Sequence, residues 1–288
     1  MREMPSFWKK WKDLAEMVML KHSVFSLPFI FIAMLVASGG WFGWKLLILG
    51  TLSAVSARNF AMGVNRYLDR DIDVLNPRTK ERPSVDGRIS EGVMIGFILL
   101  NALFFVVVAY WVNHLAFLLS FPILLILGAY TLFKRFSSLA HLILGVSLGL
   151  APIAGVVAVS AEITSWSLLL ALGVMFWVAG FDLLYSLQDI EFDKANKLHS
   201  IPSRFGAKKT LLIAKVFHLL AVLFWAGFVY DAGLGFWAWL SIGFSAVMLA
   251  YEHYLVNQDF TKIDKAFFTV NGYLGFVFLF CILLEVFL

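Results

Sequence analysis

Residues 91–112 read EGVMIGFILLNALFFVVVAYWV, and Glu91 at the very start is the one charged residue in the run. A helix of about 20 residues crosses the roughly 30 Å hydrocarbon core of a bilayer. This stretch has that length and leaves no charge stranded within it. Working outward, a charged segment at 66–90 precedes it, and a second apolar run follows at once over 115–133. The same pattern extends to both ends of the chain and predicts helices over 24–40, 43–67, 91–112, 115–133, 138–160, 165–188, 209–230, 233–256 and 266–287. The expectation is an all-α polytopic membrane protein, a bundle of nine transmembrane helices forming one domain over 1–288.

Composition agrees: 61% of the 288 residues are hydrophobic and 15% charged, too little polar material to coat a soluble globule of this size. The net charge of +4 is spread between the apolar runs, so it reads as a topology signal and not as a nucleic-acid surface. The N-terminus, 66–90, Lys134–Arg135, 194–209 and Lys262 with Lys265 hold nearly all the Lys and Arg, while the intervening loops hold mainly Lys45, His114, Glu162 and Asp231. That alternation predicts a cytoplasmic N-terminus and an outer C-terminus. Residues 1–22, with Arg2, Lys9, Lys10, Lys12 and Lys21 beside Trp8 and Trp11, suit a cytoplasmic or interfacial segment better than a cleaved leader. A single cysteine, Cys281, excludes a disulfide framework or a cysteine metal site within one chain.

Two inside loops, about 66–90 and 189–208, are longer than the rest, and each is entered from a helix that ends in acids. The first motif is Asn65-Arg-Tyr-Leu-Asp69-Arg-Asp-Ile-Asp73, whose Asn65, Asp69 and Asp73 share one helical face while Asp71 points elsewhere. The second is Tyr185-Ser-Leu-Gln-Asp189-Ile-Glu-Phe-Asp193, with the same spacing and Asp182 two turns earlier on nearly the same face. The stripes should oppose each other across a cavity. Carboxylates stacked in this way destabilise a helix by roughly 0.2–0.5 kcal/mol per pair, so they call for a counter-ion. Oxygen donors without His or Cys select Mg²⁺, which takes one or two carboxylates and completes its shell from water and phosphate. Two facing half-sites suggest two Mg²⁺ ions bridged by a diphosphate. Solvated acids at a helix end are the bland alternative, and an ion or lipid-phosphate transporter is a further one. A transporter should place its acids near the membrane midplane, whereas these cluster at one end.

These residues resemble the UbiA superfamily of membrane prenyltransferases, whose signatures N-x-x-x-D-x-x-x-D and Y-x-x-x-D-x-x-x-D both stand here without a gap. The likeness includes Arg78-Thr79-Lys-Glu-Arg82-Pro83, the Ser26–Phe29 opening SLPF, the Lys134–Arg135 pair and Ser200–Gly206, SIPSRFG. Within the superfamily the chain is most similar to 4-hydroxybenzoate polyprenyltransferases, with enzymes acting on hydroxynaphthoates next. It departs at Arg66, where many members have Asp, and at His199, where many have Lys.

The resemblance implies that Asn65, Asp69 and Asp73 hold one Mg²⁺ and Asp189 and Asp193 the other, bridged by a polyprenyl diphosphate. An aromatic acid would be the acceptor, in quinone biosynthesis at the cytoplasmic face of a bacterial inner membrane. Arg70 and Arg135 are the leading candidates to contact diphosphate or acceptor, followed by Lys134, Arg66, Arg78, Arg82, Lys197 and His199. Tyr185 could steady an allylic cation through its ring. Elsewhere, Gly145, Gly149, Ala151 and Gly155 read as helix-packing positions or as the wall of a tail exit. Trp8, Trp11, Trp41 and Trp166 read as interfacial anchors, and His141, His218, Asn101 and Asn271 as interhelical hydrogen-bond partners. Glu252 and Glu285 are expected at the inner and outer interfaces.

Overall fold

A computed structural model describes residues 6–19, 27–258, 263 and 269–288. Arg2, Lys21, Ser26, Lys262 and Lys265 lie outside the described residues. The regular elements among those described are all helical, with no strand among them. The elements are α1 (Ser6–Met17), α2 (Leu27–Ser38), α3 (Trp44–Leu68), α4 (Arg70–Asp73), α5 (Glu91–Val112), α6 (His114–Ala129), α7 (Ala140–Ser160), α8 (Ser165–Tyr185), α9 (Ile190–Ala195), α10 (Ile201–Asp231), α11 (Phe236–Gln258) and α12 (Asn271–Phe287). Short 3₁₀ turns, Tyr130–Arg135 and Ser186–Asp189, follow α6 and α8. Six helical segments are long and apolar enough to cross a membrane, consistent with an integral membrane protein. They begin at Trp44, Glu91, His114, Ala140, Ser165 and Ile201.

α2 is apolar but only 12 residues long. It stops at Ser38, whose hydroxyl donates to Leu35 O (3.1 Å) and Gly40 O (2.6 Å), and Gly39 turns the chain away with φ +60°. Its Phe29, Ile32, Ala33 and Met34 are all buried, so it is an inner helix. Phe29 sits among Trp177 (5.2 Å between ring centroids), Trp225 (5.6 Å) and Phe278 (5.7 Å), which draws α2, α8, α10 and α12 into one aromatic core.

Close helix approach depends on glycine. A Cβ at Gly149 of α7 would stand 2.8 Å from Ala171 O of α8, and one at Gly155 would stand 2.6 Å from Ile30 O of α2. Gly145 meets the Met175 carbonyl in the same way. These positions therefore pack helices and do not wall an exit. On α8, Gly173 receives the Trp225 indole and Gly180 the His218 ring, both from α10.

Several isolated polar residues stitch helices together as expected. His141 Nδ1 lies 2.7 Å from Asp182 Oδ2, and His218 Nδ1 lies 3.0 Å from His253 Nε2. Asn271 accepts from Trp177 Nε1 (2.7 Å) and donates to Glu252 Oε1 (2.6 Å). Glu252 is thus not an interfacial residue: it is 1% exposed, because Asn271 offers it a donor inside the bundle. Asn101 bonds Phe97 O of its own helix instead of a neighbour. Trp166 packs against Phe228 and is half-buried, unlike the exposed Trp8, Trp11 and Trp41. Glu285 caps α11, accepting from the backbone N–H of Gly235, Trp237 and Ala238.

Replacing Gly149 with Leu should separate α7 from α8 and cost about 1–3 kcal/mol, an overpacking penalty read as a lower melting midpoint in detergent. Gly92→Ala, where a Cβ meets nothing within 4 Å, should not lower that midpoint.

Candidate active site

Both acidic motifs lie where a long apolar helix gives out. α3 loses regular geometry at Asp69 (φ −92°, ψ 5°) and α4 resumes at Arg70. Across that break Asp69 N–H still donates to Asn65 O (3.0 Å) and Asp73 N–H to Asp69 O (2.7 Å). The ladder is interrupted between them, with Ile72 N–H on Asp69 O (3.0 Å) and Leu68 O left to Arg135, but the two four-residue bonds span the bend and keep Asn65, Asp69 and Asp73 in step. The second motif departs from a single helical stripe. α8 ends at Tyr185, tightens into the 3₁₀ turn Ser186–Asp189 and resumes as α9, with Asp189 at φ −102°, ψ 7°. Winding at about 3.0 residues per turn rotates Asp189 off the Tyr185 face. Asp69 and Asp189 nevertheless share one backbone state, the bridge region, each followed by a short helix.

Every motif carboxylate has a partner from another part of the chain. Asp69 is buried, and its Oδ2 accepts from Asn65 Nδ2 (2.8 Å), Thr131 Oγ1 (3.0 Å) and Lys134 Nζ (2.6 Å). Asp73 accepts from Arg82 Nη1 (2.7 Å), and its backbone carbonyl accepts from the Thr79 hydroxyl (2.9 Å). Asp189 accepts from Arg78 Nε (3.2 Å) and Nη2 (2.5 Å) and from Asn76 Nδ2 (3.3 Å). Arg78 also donates to the Tyr185 hydroxyl (3.1 Å), with its guanidinium 5.3 Å from the centre of that ring. Asp193 accepts from Ser200 Oγ (2.6 Å), the residue that caps α10. The loop leaving the first motif thus reaches across to the second. Burial works against the charge on Arg78, but its hydrogen bond to Asp189 and that carboxylate's charge outweigh it and hold the guanidinium pKa above its ordinary value.

The other expected contacts divide into two groups. Arg135 forks onto Asp71 (2.9 and 2.7 Å) and donates to Leu68 O (2.5 Å). Those hydrogen bonds hold the Asp71 carboxyl below the usual carboxylate range. Asp71, set aside by helical periodicity, lines a cavity of about 320 Å³ with Arg135 and Lys197. His199 is exposed, and its N–H donates to Lys134 O (2.8 Å), docking the second loop on the turn that carries Lys134. Arg70 and Arg66 are not gathered with the motif-facing cations. Arg70 pairs with Glu91 (3.3 Å) and stacks 4.8 Å from the Tyr67 ring. Arg66 is buried and turned toward α1, donating to Met17 O (3.2 Å) and to Asn65 Oδ1 (3.0 Å). Being one residue past a motif position puts each of them on a different face of its helix.

Residues 26–282 match the profile of the UbiA prenyltransferase family. The chain belongs to the UbiA prenyltransferase family. A 4-hydroxybenzoate octaprenyltransferase of Pseudoalteromonas translucida is 30% identical over 252 residues, which cover 85% of this chain and 84% of that protein. The apo structure of a UbiA homolog from Aeropyrum pernix K1 superposes with a TM-score of 0.84 at 32% identity, covering 92% of this chain and 98% of that one. A UbiA homolog from Archaeoglobus fulgidus bound to DMAPP and Mg²⁺ shares the fold, with a TM-score of 0.72 at 19% identity and coverage of 92% and 99%.

The UbiA site fits a hard divalent cation. Its acidic donors are oxygens, and among the described residues no three His, Cys, Asp or Glu side chains converge into a closed cage. An ion that completes its shell from water and phosphate needs no such cage. Asp69 Oδ1 is buried without a hydrogen-bond partner among the described residues, with Arg135 Nη2 at 3.9 Å beyond hydrogen-bond reach, which leaves an oxygen donor for such an ion. Asn65 turns its amide oxygen to Arg66 and its NH₂ to Asp69, so it orients that carboxylate. Thr131, Asn76 and Ser200 join the site from outside both motifs. Thr131 lies inside an apolar run and gives no signal. Asn76, preceding a proline and accepting from Arg78 N–H (2.9 Å), carries a recognisable turn signature.

Arg78→Ala should untie the first loop from Asp189 and Tyr185. Amide exchange over 76–90 is expected to quicken about tenfold or more, the signature of a lowered local opening free energy. Unchanged exchange would show that other contacts hold the loop.

Proposed function

We propose that this UbiA family member is a Mg²⁺-dependent 4-hydroxybenzoate polyprenyltransferase of quinone biosynthesis, working at the cytoplasmic face of a bacterial inner membrane with nine spans and a cytoplasmic N-terminus. The observation that carries the reading is the pair of acidic motifs joined by one loop, with Lys134 on Asp69, Arg82 on Asp73 and Arg78 on Asp189, cations that match phosphate oxygens. The similarity to the Pseudoalteromonas enzyme favours 4-hydroxybenzoate as acceptor. The Archaeoglobus homolog bound to DMAPP and Mg²⁺ favours a prenyl diphosphate donor with magnesium.

In this reading Asp69 and Asp73 hold one ion, Asp189 and Asp193 the other, and Asn65 and Thr131 orient Asp69. When bound, the magnesium ions neutralise charge on the departing diphosphate. Arg78, Arg82 and Lys134, which sit on the motif carboxylates, turn to the diphosphate oxygens. Arg66 acts from behind, through Asn65, while Arg70 and His199 set the positions of the two loops. The prenyl C1–O bond breaks with its electron pair leaving on the diphosphate. The ring carbon ortho to the acceptor hydroxyl then bonds C1, and its proton passes to the released diphosphate. The Tyr185 ring lies against the Arg78 guanidinium that holds Asp189, and its face would steady the allylic cation once Arg78 turns to the diphosphate. Arg135 suits the acceptor carboxylate, because a guanidinium fork matches two oxygens, and Lys197 lines the same cavity. Water would quench the cation, so a loop fastened across both motifs also serves to exclude it.

The decisive assay is transfer from labelled geranyl diphosphate by purified protein, with 4-hydroxybenzoate and a dihydroxynaphthoate offered in parallel and EDTA as control. Magnesium-dependent transfer to 4-hydroxybenzoate is the expected result, and transfer only to the naphthoate would move the acceptor to menaquinone synthesis. Asp69→Ala and Asp189→Ala should each lower turnover at least a thousandfold, on the order of 4 kcal/mol in the barrier, in protein that still folds. Near-normal turnover in both variants would rule out the two-ion site. Arg135→Ala should raise the acceptor KM about tenfold with little change in kcat. An unchanged KM would remove Arg135 from the carboxylate contact.

A further inference from the structure

α1 presents two different sides. Trp8 and Trp11 are 62% and 56% exposed, and with the exposed Lys12 they share one helical face; Lys10 is exposed as well. The other side carries Asp13 and Met17, both buried against the protein. The acids of α1 are drawn inward by one guanidinium. Arg88 reaches Asp13 (3.4 Å) and Glu16 (2.9 Å) while also holding Asp86 (2.6 Å) and Glu81 O (2.8 Å). With its carboxylates so occupied, the helix offers the outside two indoles and ammonium groups. Indoles settle at the boundary between headgroups and acyl chains, and lysines there favour an anionic surface.

The seat of this helix is part of the site. Arg66, next to Asn65, donates to Met17 O (3.2 Å) at the end of α1 and to Asn65 Oδ1 (3.0 Å), and Asn65 in turn holds Asp69. Arg58, two turns earlier on α3, donates to Met19 O (3.2 Å). On the other flank, Arg88 grips the loop residues Glu81 and Asp86 on either side of Arg82 and Pro83, and Arg82 holds Asp73. One helix therefore braces both the first acidic stripe and the loop that crosses to the second.

We propose that α1 docks on an anionic bilayer surface through Trp8, Trp11, Lys10 and Lys12, and that this docking sets the position of the first acidic motif and its loop. The docking stands by itself, and its effect on prenyl diphosphate binding rests on the function proposed above. Charge complementarity selects the lipid over a second copy of this chain, whose own α1 would bring the same positive face.

The test places the full chain in nanodiscs of phosphatidylcholine, with or without phosphatidylglycerol, and reads amide exchange over 6–19 and 76–90 without substrate. Calorimetry then gives the affinity for geranyl diphosphate with Mg²⁺. Anionic lipid should slow exchange in both segments and tighten geranyl diphosphate binding several-fold. The double variant Lys10→Gln/Lys12→Gln should lose that response, about fivefold in affinity for the surface per lysine. Arg88→Gln should keep the lipid response of 6–19 and lose that of 76–90. Exchange over 6–19 that ignores lipid charge, or that follows protein concentration instead, overturns the docking. A response confined to 6–19 in the unaltered protein overturns the coupling. Because exchange is read without substrate, absent geranyl diphosphate binding with an intact exchange response would count against the proposed function and not against the docking.

Discussion

Carboxylates at the ends of apolar helices cannot be left bare, and the arrangement around the two acidic motifs follows from that cost. A buried ionised group needs an opposite charge or several donors, and a partner supplied from elsewhere in the chain fixes where that part must lie. Asp69 takes Lys134 from the turn after α6, Asp73 takes Arg82, and Asp189 takes Arg78 from a loop more than a hundred residues earlier. The first loop is held down because its arginines are needed there. In the proposed function, the same cations, set on the same carboxylates, are what a diphosphate would meet.

Such pairs hold the loops only if the helices beneath them are fixed. Side chains that close on one another in an interior are packed at crystal-like density, so small offsets at one end are felt at the other. Gly149 against Ala171 and Gly155 against Ile30 bring α7 to α8 and to α2 at backbone distance, and Gly173 and Gly180 admit the large rings of α10. α8 is consequently gripped from two sides along its length, and it delivers Tyr185 and Asp189 to the site. Polar bonds inside the bundle reinforce this, with His141 on Asp182 from α7 and Asn271 joining Trp177 to Glu252.

The pairs also explain why neighbours in sequence differ in role. Asp71 and Asp73 are two residues apart, yet Asp73 faces the loop arginine Arg82 while Asp71 meets Arg135, whose guanidinium also stands 3.9 Å from Asp69. Arg66 and Asn65 are adjacent, yet one reaches α1 and the other Asp69. In the SIPSRFG stretch, Ser200 caps α10 and bonds Asp193, and Gly206 (φ +76°) bends the helix. The second motif and the start of α10 are therefore one unit, and the loop expected over 189–208 is largely helical.

By itself the sequence determined the all-helical membrane class, the two acidic motifs and the family, because these depend on hydrophobic length and on spacing along one helix, which are local properties. It also identified His141, His218 and Asn271 as bridges between helices, since a polar group in an apolar run has few other uses. It could not assign partners to the basic residues. Arg70 and Arg135 looked equivalent as cations near acids, but one lies on Glu91 and the other on Asp71. Nor could it show Glu252 inside the bundle, the 3₁₀ turn that rotates Asp189, or Thr131 beside Asp69. Those are decisions of the tertiary structure, because charge pairing and burial depend on which helices come within a few ångströms of each other, and helical period carries no information about that.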